Sequence, residues 1–272
     1  MNMRLMTTGD IPFAMALKAQ NGWNQLEGDW RRQLDLQPDL CFVAEVDSTA
    51  VGTACVCVFD DVSWINMVLV DRAHRSRGIG TALLTHVLAQ LDARRIPSIR
   101  LDATPLGQPL YEKLGFQGDF ALARYEGVPL PNGASEGIEH LRPVDMDFVV
   151  ALDEAITQTR RAKLLHHLFS SGQYARKYVR QGYAMCRPGS NAWQIGPVQG
   201  EPDAARVLLL DAFTHFAGQR VYVDVPSDNA AAVAAVESAG LRVQRPFLRM
   251  TRGRQVREDL QRSWCTFGPE KG

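Results

Sequence analysis

The sequence predicts an α+β protein assembled from two similar halves. Three observations carry this expectation. Between residues 10 and 130 the patterns run helix, helix, three strands, helix, strand, helix, strand. A segment near the end, Arg220 to Leu241, repeats the last part of that order. The length of 272 residues suggests about two domains.

Asp10-Ile11-Pro12 reads as a helix start, because an acidic cap and an early proline suit that position. Gly22-Trp23-Asn24 breaks this helix, and a second spans Leu26 to Leu36, ending before Pro38. Strands are predicted at Leu40–Val46, Val51–Phe59 and Val62–Val70 from their β-branched and aromatic content. A helix over Thr81–Ala93 carries Leu84, Val87, Leu88 and Leu91 on one face. Ile99–Ala103 reads as the next strand and Gln108–Leu114 as a short helix stopped by Gly115. Extended chain then runs from Phe116 to Leu130. Pro129 to Ser135 is rich in breakers and reads as a linker, which divides the chain into domains 1–131 and 132–272.

The segment Arg75-Ser76-Arg77-Gly78-Ile79-Gly80-Thr81 joins the strand ending at Val70 to the amphipathic helix. Two glycines let the backbone approach a ligand closely. The helix that follows aims unpaired N–H groups and its positive dipole end at the turn, which favours an anion. Arg75 and Arg77 can add charge-assisted bonds to phosphate oxygens. The turn is not a nucleotide-triphosphate loop, since no lysine follows Gly80, and it lacks the third glycine of a dinucleotide fingerprint.

Some thirty residues after this turn stands Leu110-Tyr111-Glu112-Lys113-Leu114-Gly115-Phe116. The two motifs at this spacing resemble the GNAT superfamily, the Gcn5-related N-acetyltransferases, over roughly residues 3 to 130. The resemblance implies a mixed twisted sheet flanked by helices, with acetyl-CoA as cosubstrate and its pyrophosphate on the glycine turn. It implies a bulged strand whose backbone at Met67, Val68, Leu69 and Val70 receives the thioester and pantetheine. It makes Tyr111 the general acid beside the thioester, with buried packing as its structural alternative. Asp102 is the positional choice for a general base acting through water. Acceptor recognition would fall to the first two helices and their loop, where Asn21, Trp23, Asn24, Glu27, Asp29 and Trp30 stand. Trp23, Asn24, Asp29 and Trp30 are the substrate-binding candidates, although both tryptophans suit a core equally well.

The second half reads as a worn copy, so the fold would be duplicated in tandem. Aligned without gaps, Val236 falls where Tyr111 stands and Gly240 where Gly115 stands. In place of the glycine turn is Gly196-Pro197-Val198-Gln199-Gly200-Glu201-Pro202-Asp203. Two prolines remove donors and two carboxylates repel phosphate, so this half should hold no coenzyme. It could instead close the open side of the site, with Arg160, Arg161 or Arg187 reaching a substrate carboxylate.

Thirty basic and thirty acidic residues cancel, leaving no field to attract nucleic acid or an anionic membrane. No apolar run approaches the roughly eighteen residues of a membrane helix, and the N-terminus lacks a signal-peptide core, so a cytoplasmic location is expected. The five cysteines show no metal-site spacing, and no metal is expected. The expected activity is direct acetyl transfer to a small-molecule or peptide amine in a ternary complex. A catalytically idle acyl-CoA sensor is the alternative. A homodimer is compatible with the chain.

Overall fold

Both halves of the chain run through the same succession of elements. The computed structural model describes residues 1–131, 136–171 and 173–272. The first half consists of β1 (Asn2–Leu5), α1 (Ile11–Gln20), α2 (Glu27–Leu36), β2 (Cys41–Val46), β3 (Thr49–Phe59), β4 (Val62–Val70), α3 (Ile79–Ala93), β5 (Ser98–Ala103), α4 (Gln108–Lys113) and β6 (Gln117–Gly127). The second repeats the order as β7 (Ile138–His140), α5 (Met146–Thr157), α6 (Ala162–Ser170), β8 (Tyr174–Tyr178), β9 (Gly182–Arg187), β10 (Trp193–Gly200), α7 (Pro202–His215), β11 (Val221–Pro226), α8 (Ala230–Ser238) and β12 (Arg242–Gly253). A final strand, β13 (Ser263–Cys265), has no counterpart in the first half. The duplication therefore extends over the whole fold, beyond the segment in which it was legible. Asn132, Gly133, Ala134 and Ser135 of the expected linker lie outside the described residues.

The halves exchange strands. Among the described residues one sheet runs β1-β2-β3-β4-β5-β12-β6-β11-β10-β9-β8-β7, with β13 beside β10. β12 from the second half lies antiparallel between β5 and β6, and β6 from the first lies antiparallel between β12 and β11. Parallel pairing occurs where β4 meets β5 and where β10 meets β11, so the sheet is mixed. Separate apolar cores form under α3, with Leu83, Leu84, Val87 and Leu91, and under α7, with Leu208, Leu209, Ala212 and Phe213.

A buried charge network fastens the exchange. Arg249 of β12 donates from Nε and Nη2 to both Asp102 oxygens, at 2.9 and 3.0 Å, and from Nη1 to Glu258 at 2.8 Å. Arg100 of β5 donates to Glu258 at 2.6 Å and to Asp119 at 3.1 Å. Both guanidinium groups lie over the Trp64 ring, 4.7 and 5.2 Å from its centroid. Charges this deep persist only when paired, and these pairs join β12 to β5 and β5 to β6.

Candidate functional site

The site begins where β4 and β5 part. They pair in parallel only from Val62 opposite Ser98 to Trp64 opposite Arg100. Beyond that, β4 bulges. The register against β3 slips between Thr53 and Cys55, and Met67 takes a left-handed φ of 52°. Thr53 Oγ1 donates to the Met67 carbonyl at 2.8 Å and holds the bulge in place. The diverging strands open a cavity of about 580 Å³, lined along one wall by Met67, Val68, Leu69 and Val70. On the edge that faces β5, the backbone of this wall has no paired strand, while its other edge stays on β3.

The glycine turn reaches this cavity through its first residue, Arg75. Helix α3 begins at Ile79, two residues earlier than its apolar pattern suggested, with Gly78 left-handed at φ 78° as its N-cap. Ser76 is also left-handed, at φ 60°. The first helical bond runs from Ala82 N to Gly78 O, so the amides of Ile79, Gly80 and Thr81 have no acceptor inside the helix. Ser76, Arg77 and Thr81 are exposed, whereas the Ile79 side chain is buried in the core beneath α3. Arg75 lines the cavity and ties the turn to the end of α1, donating to Asn21 Oδ1 at 2.7 Å and to Val70 O at 3.2 Å.

Tyr111 stands in the same cavity on α4, half-buried, its ring edge-on to Phe116 at 5.9 Å. A Cβ added to Gly107 would lie 3.0 Å from Tyr111 Cε2, so glycine at that position leaves the ring its place. The phenol has no hydrogen-bond partner among the described residues, and burial pushes its pKa up to about 12. It is a proton donor throughout the neutral range.

Asp102 also lines the cavity, yet its expected role as a base does not fit its surroundings. Both of its oxygens accept from Arg249, and it serves the strand exchange. Burial raises its pKa against the pull of Arg249.

The acceptor-side candidates divide. Trp23 lines the cavity, half-buried. Asn24 lines it as well, but its side-chain amide is spent on the second half: Nδ2 donates to Ala192 O at 2.9 Å, and Oδ1 accepts from Asn191 N and Ala192 N at 2.9 and 3.1 Å. Asn24→Ala should therefore lower unfolding free energy by about 2 kcal/mol, since three backbone groups, two of them buried, lose partners. Urea denaturation checks this, and an unchanged midpoint would return Asn24 to the list of substrate contacts. Asp29 and Trp30 leave that list. Trp30 is fully buried against Leu17, Val43 and Leu69, because its face of α2 packs on the sheet. Asp29 accepts from Leu26 N at 2.7 Å, capping α2, and pairs with Arg32 and Arg187.

Three arginines considered for a substrate carboxylate are likewise engaged elsewhere. Arg161 is buried on Asp153, Arg187 on Glu270 and Asp29, and Arg160 is exposed near Glu154. The residues that complete the wall were not anticipated. Gln244, Arg245 and Phe247 arrive on the exchanged strand β12, and Pro269 and Glu270 on the segment after β13. Burial opposes the Glu270 charge, but Arg187, Lys271 and Arg124 outweigh it and hold its pKa at about 2. Both carboxylates on the wall are thus paired with arginine.

In the second half the corresponding gap is filled. β10 and β11 pair from Trp193 opposite Val221 to Ile195 opposite Val223 and then diverge. Into this divergence comes β13, pairing Val198 with Cys265, followed by Thr266, whose N–H donates to Asp224 O of β11 at 2.9 Å. A Cβ on Gly196 would lie 1.9 Å from Thr266 O. Helix α7 follows β10 after Glu201 alone, with Pro202 at its start.

Among the described residues no helix is long and apolar enough to cross a membrane, and no group of three or more His, Cys, Asp and Glu is gathered as for a metal ion. All five cysteines are free and buried.

Comparison with known proteins agrees with this geometry. Residues 13–116 match the model of the acetyltransferase (GNAT) family, and residues 149–264 match that of an acetyltransferase (GNAT) domain. Holothin acyltransferase of Pseudoalteromonas sp. (strain SANK 73390) is 24% identical over 243 residues, 86% of this chain and 81% of that protein. The uncharacterized N-acetyltransferase YitH of Bacillus subtilis (strain 168) is 24% identical over 224 residues, 79% and 78% of the two chains. Among solved structures, a putative acetyltransferase from Pyrococcus horikoshii superposes with a TM-score of 0.88 at 24% identity, covering 100% of this chain and 95% of its own. A tandem GNAT protein from the clavulanic acid biosynthesis pathway gives 0.66 at 15% identity, covering 93% and 98%. At these identities the structural likeness is one of fold. The two family matches, one in each half, carry the conclusion: the chain belongs to the GNAT acetyltransferase superfamily, in its tandem form.

Proposed function

We propose that this protein transfers an acetyl group from acetyl-CoA directly to the primary amine of a small molecule or peptide, within a ternary complex. Residues 1–131 carry the chemistry, and residues 132–272 wall the site without holding a coenzyme of their own. The observation that carries this reading is the unbonded Tyr111 phenol in a cavity that opens at the β4 bulge and reaches Arg75, the first residue of the glycine turn. The relatives' names supply the general activity, acyl transfer.

The groups present suit a CoA thioester, which brings an activated acyl carbon and a thiolate leaving group. The free amides of Ile79, Gly80 and Thr81, with exposed Arg77 nearby, would hold the diphosphate. Backbone N–H groups of Met67 to Val70 would face the pantetheine and the carbonyl oxygen, donors already in place before charge develops. Tyr111 would give its proton to the departing sulfur. Asp102 and Glu270, each bound to arginine, take no proton in this scheme; the amine enters neutral, its nitrogen gives up one proton to solvent after attack, and solvent returns a proton to the Tyr111 phenolate.

Thiol release from acetyl-CoA across an amine library tests the proposal. Release that depends on an amine is expected. Tight binding of acetyl-CoA with no amine-dependent release from any pool would sink it and leave a sensor.

A further inference from the structure

One wall of the cavity carries a cation with no bonded partner among the described residues. Arg245 lines the wall on β12, directly opposite Arg124 of β6. The two guanidinium groups differ in one respect. Arg124 donates from Nε and Nη2 to Asp224, both at 2.8 Å, whereas Arg245 has no hydrogen bond or ion pair among the described residues. On balance its surroundings do not favour the charge: burial and the neighbouring Arg124 pull the Arg245 pKa down, and Tyr222 and Asp224 offset only part of that. The lining carboxylates are balanced, Glu270 by Arg187 and Asp102 by Arg249.

Two acceptor atoms are left over on residues that line the same cavity. Gln244 stands at the β12 irregularity between Val243 and Arg245, and its Oε1 is buried without a partner. Gln25, at the end of the α1–α2 loop, commits its Nε2 to Glu270, and its Oε1 is also buried without a partner. Both residues line the same cavity. An unpaired buried carbonyl oxygen costs stability unless a ligand supplies a donor. An unpaired guanidinium calls for an anion, and carboxylate fits its fork with two parallel bonds.

We infer that the acceptor is an amine bearing a carboxylate, an amino acid or a short peptide with a free C-terminus, its carboxylate on Arg245 and its N–H groups on Gln25 and Gln244. This rests on the acetyltransferase reading of the same cavity and narrows it. The cation that the second half contributes is thus Arg245, delivered by strand exchange. Arg160, Arg161 and Arg187 stay outside the site.

The test compares L-amino acids and dipeptides with their C-terminal amides, which keep the size and the amine but lose the anion. Binding to CoA-saturated protein is measured by calorimetry, and thiol release from acetyl-CoA is measured beside it. Each acid should bind roughly ten- to hundredfold more tightly than its amide, as a charge-assisted bidentate pair implies. Arg245→Gln should bring that ratio close to one, and Arg245→Lys should keep part of it. CoA affinity and the urea midpoint of both variants should match the parent protein. The inference is overturned if acids and amides bind alike, if none of the pairs binds, or if the ratio survives in Arg245→Gln. An equal loss of CoA affinity in Arg245→Gln would overturn it too, by placing a coenzyme phosphate on that arginine. Acid-selective binding without thiol release would uphold the carboxylate subsite and defeat the transferase reading alone.

Discussion

Gly80→Asp should abolish acetyl-CoA binding, with a loss of at least about a thousandfold, while the protein keeps its fold. The fold is preserved for two reasons. A Cβ at Gly80 would meet only Val70 Cγ2 at 3.8 Å and Leu110 Cδ2 at 4.0 Å, which are ordinary contacts. Gly80 lies in the first turn of α3, where a carboxylate is favoured by the helix dipole by roughly 0.3–1 kcal/mol. Binding fails for the same electrostatic reason. The new carboxylate satisfies the amides of Ile79, Gly80 and Thr81 and sets a like charge where the diphosphate should lie. Two unit charges about 4 Å apart repel by about 4 kcal/mol at an effective dielectric of about 20, and a diphosphate carries more than one. Calorimetry with CoA reads the affinity, and urea denaturation confirms the fold. Gly80→Ala, which adds bulk without charge, separates the two effects. Unchanged affinity in Gly80→Asp would mean that the diphosphate lies elsewhere.

That turn was legible because everything that shapes it is local. Gly78 takes the left-handed conformation its residue type suggests, and the α3 face of Leu84, Val87, Leu88 and Leu91 is buried as its spacing required. Other features depend on partners far away in the chain. Residues 117–127 read plainly as extended, but nothing in them says that their neighbours are β11 and β12. One clue was present: each half offers only one long strand after its short helix, where a returning hairpin would need two. β1 went unread because four residues with exposed ends carry too little alternation. Asn24 looked like a free polar group because its acceptor, Ala192, lies 168 residues away. Trp30 and Asp29 illustrate the other difficulty. A helix of mixed composition does not declare which face meets the sheet until the sheet exists. The segment Pro269–Glu270 carries no motif at all, and only its position in the fold makes it a wall of the site.

Tyr111→Phe should lower kcat by about a hundredfold or more and leave acetyl-CoA affinity within about twofold. Phenylalanine keeps the ring, its edge-on contact with Phe116 at 5.9 Å and its fit above Gly107, so packing is preserved. Only the hydroxyl is lost. Because the hydroxyl acts on the sulfur as the carbon–sulfur bond breaks, its removal acts on turnover more than on binding. The pH profile adds a second reading. With the phenol's pKa raised to about 12, Tyr111 stays protonated through the neutral and mildly alkaline range, so no loss of rate near pH 8 or 9 can come from its ionisation. The lining carboxylates are ion-paired, so the rise of rate with pH should follow the acceptor amine and shift when an amine of different pKa is used. Removing the hydroxyl should lower that whole profile without moving its acid limb. If Tyr111→Phe turns over at the parental rate, Tyr111 does not supply the proton; if the limb stays fixed near pH 4–5 for every amine, a carboxylate takes the amine's proton after all.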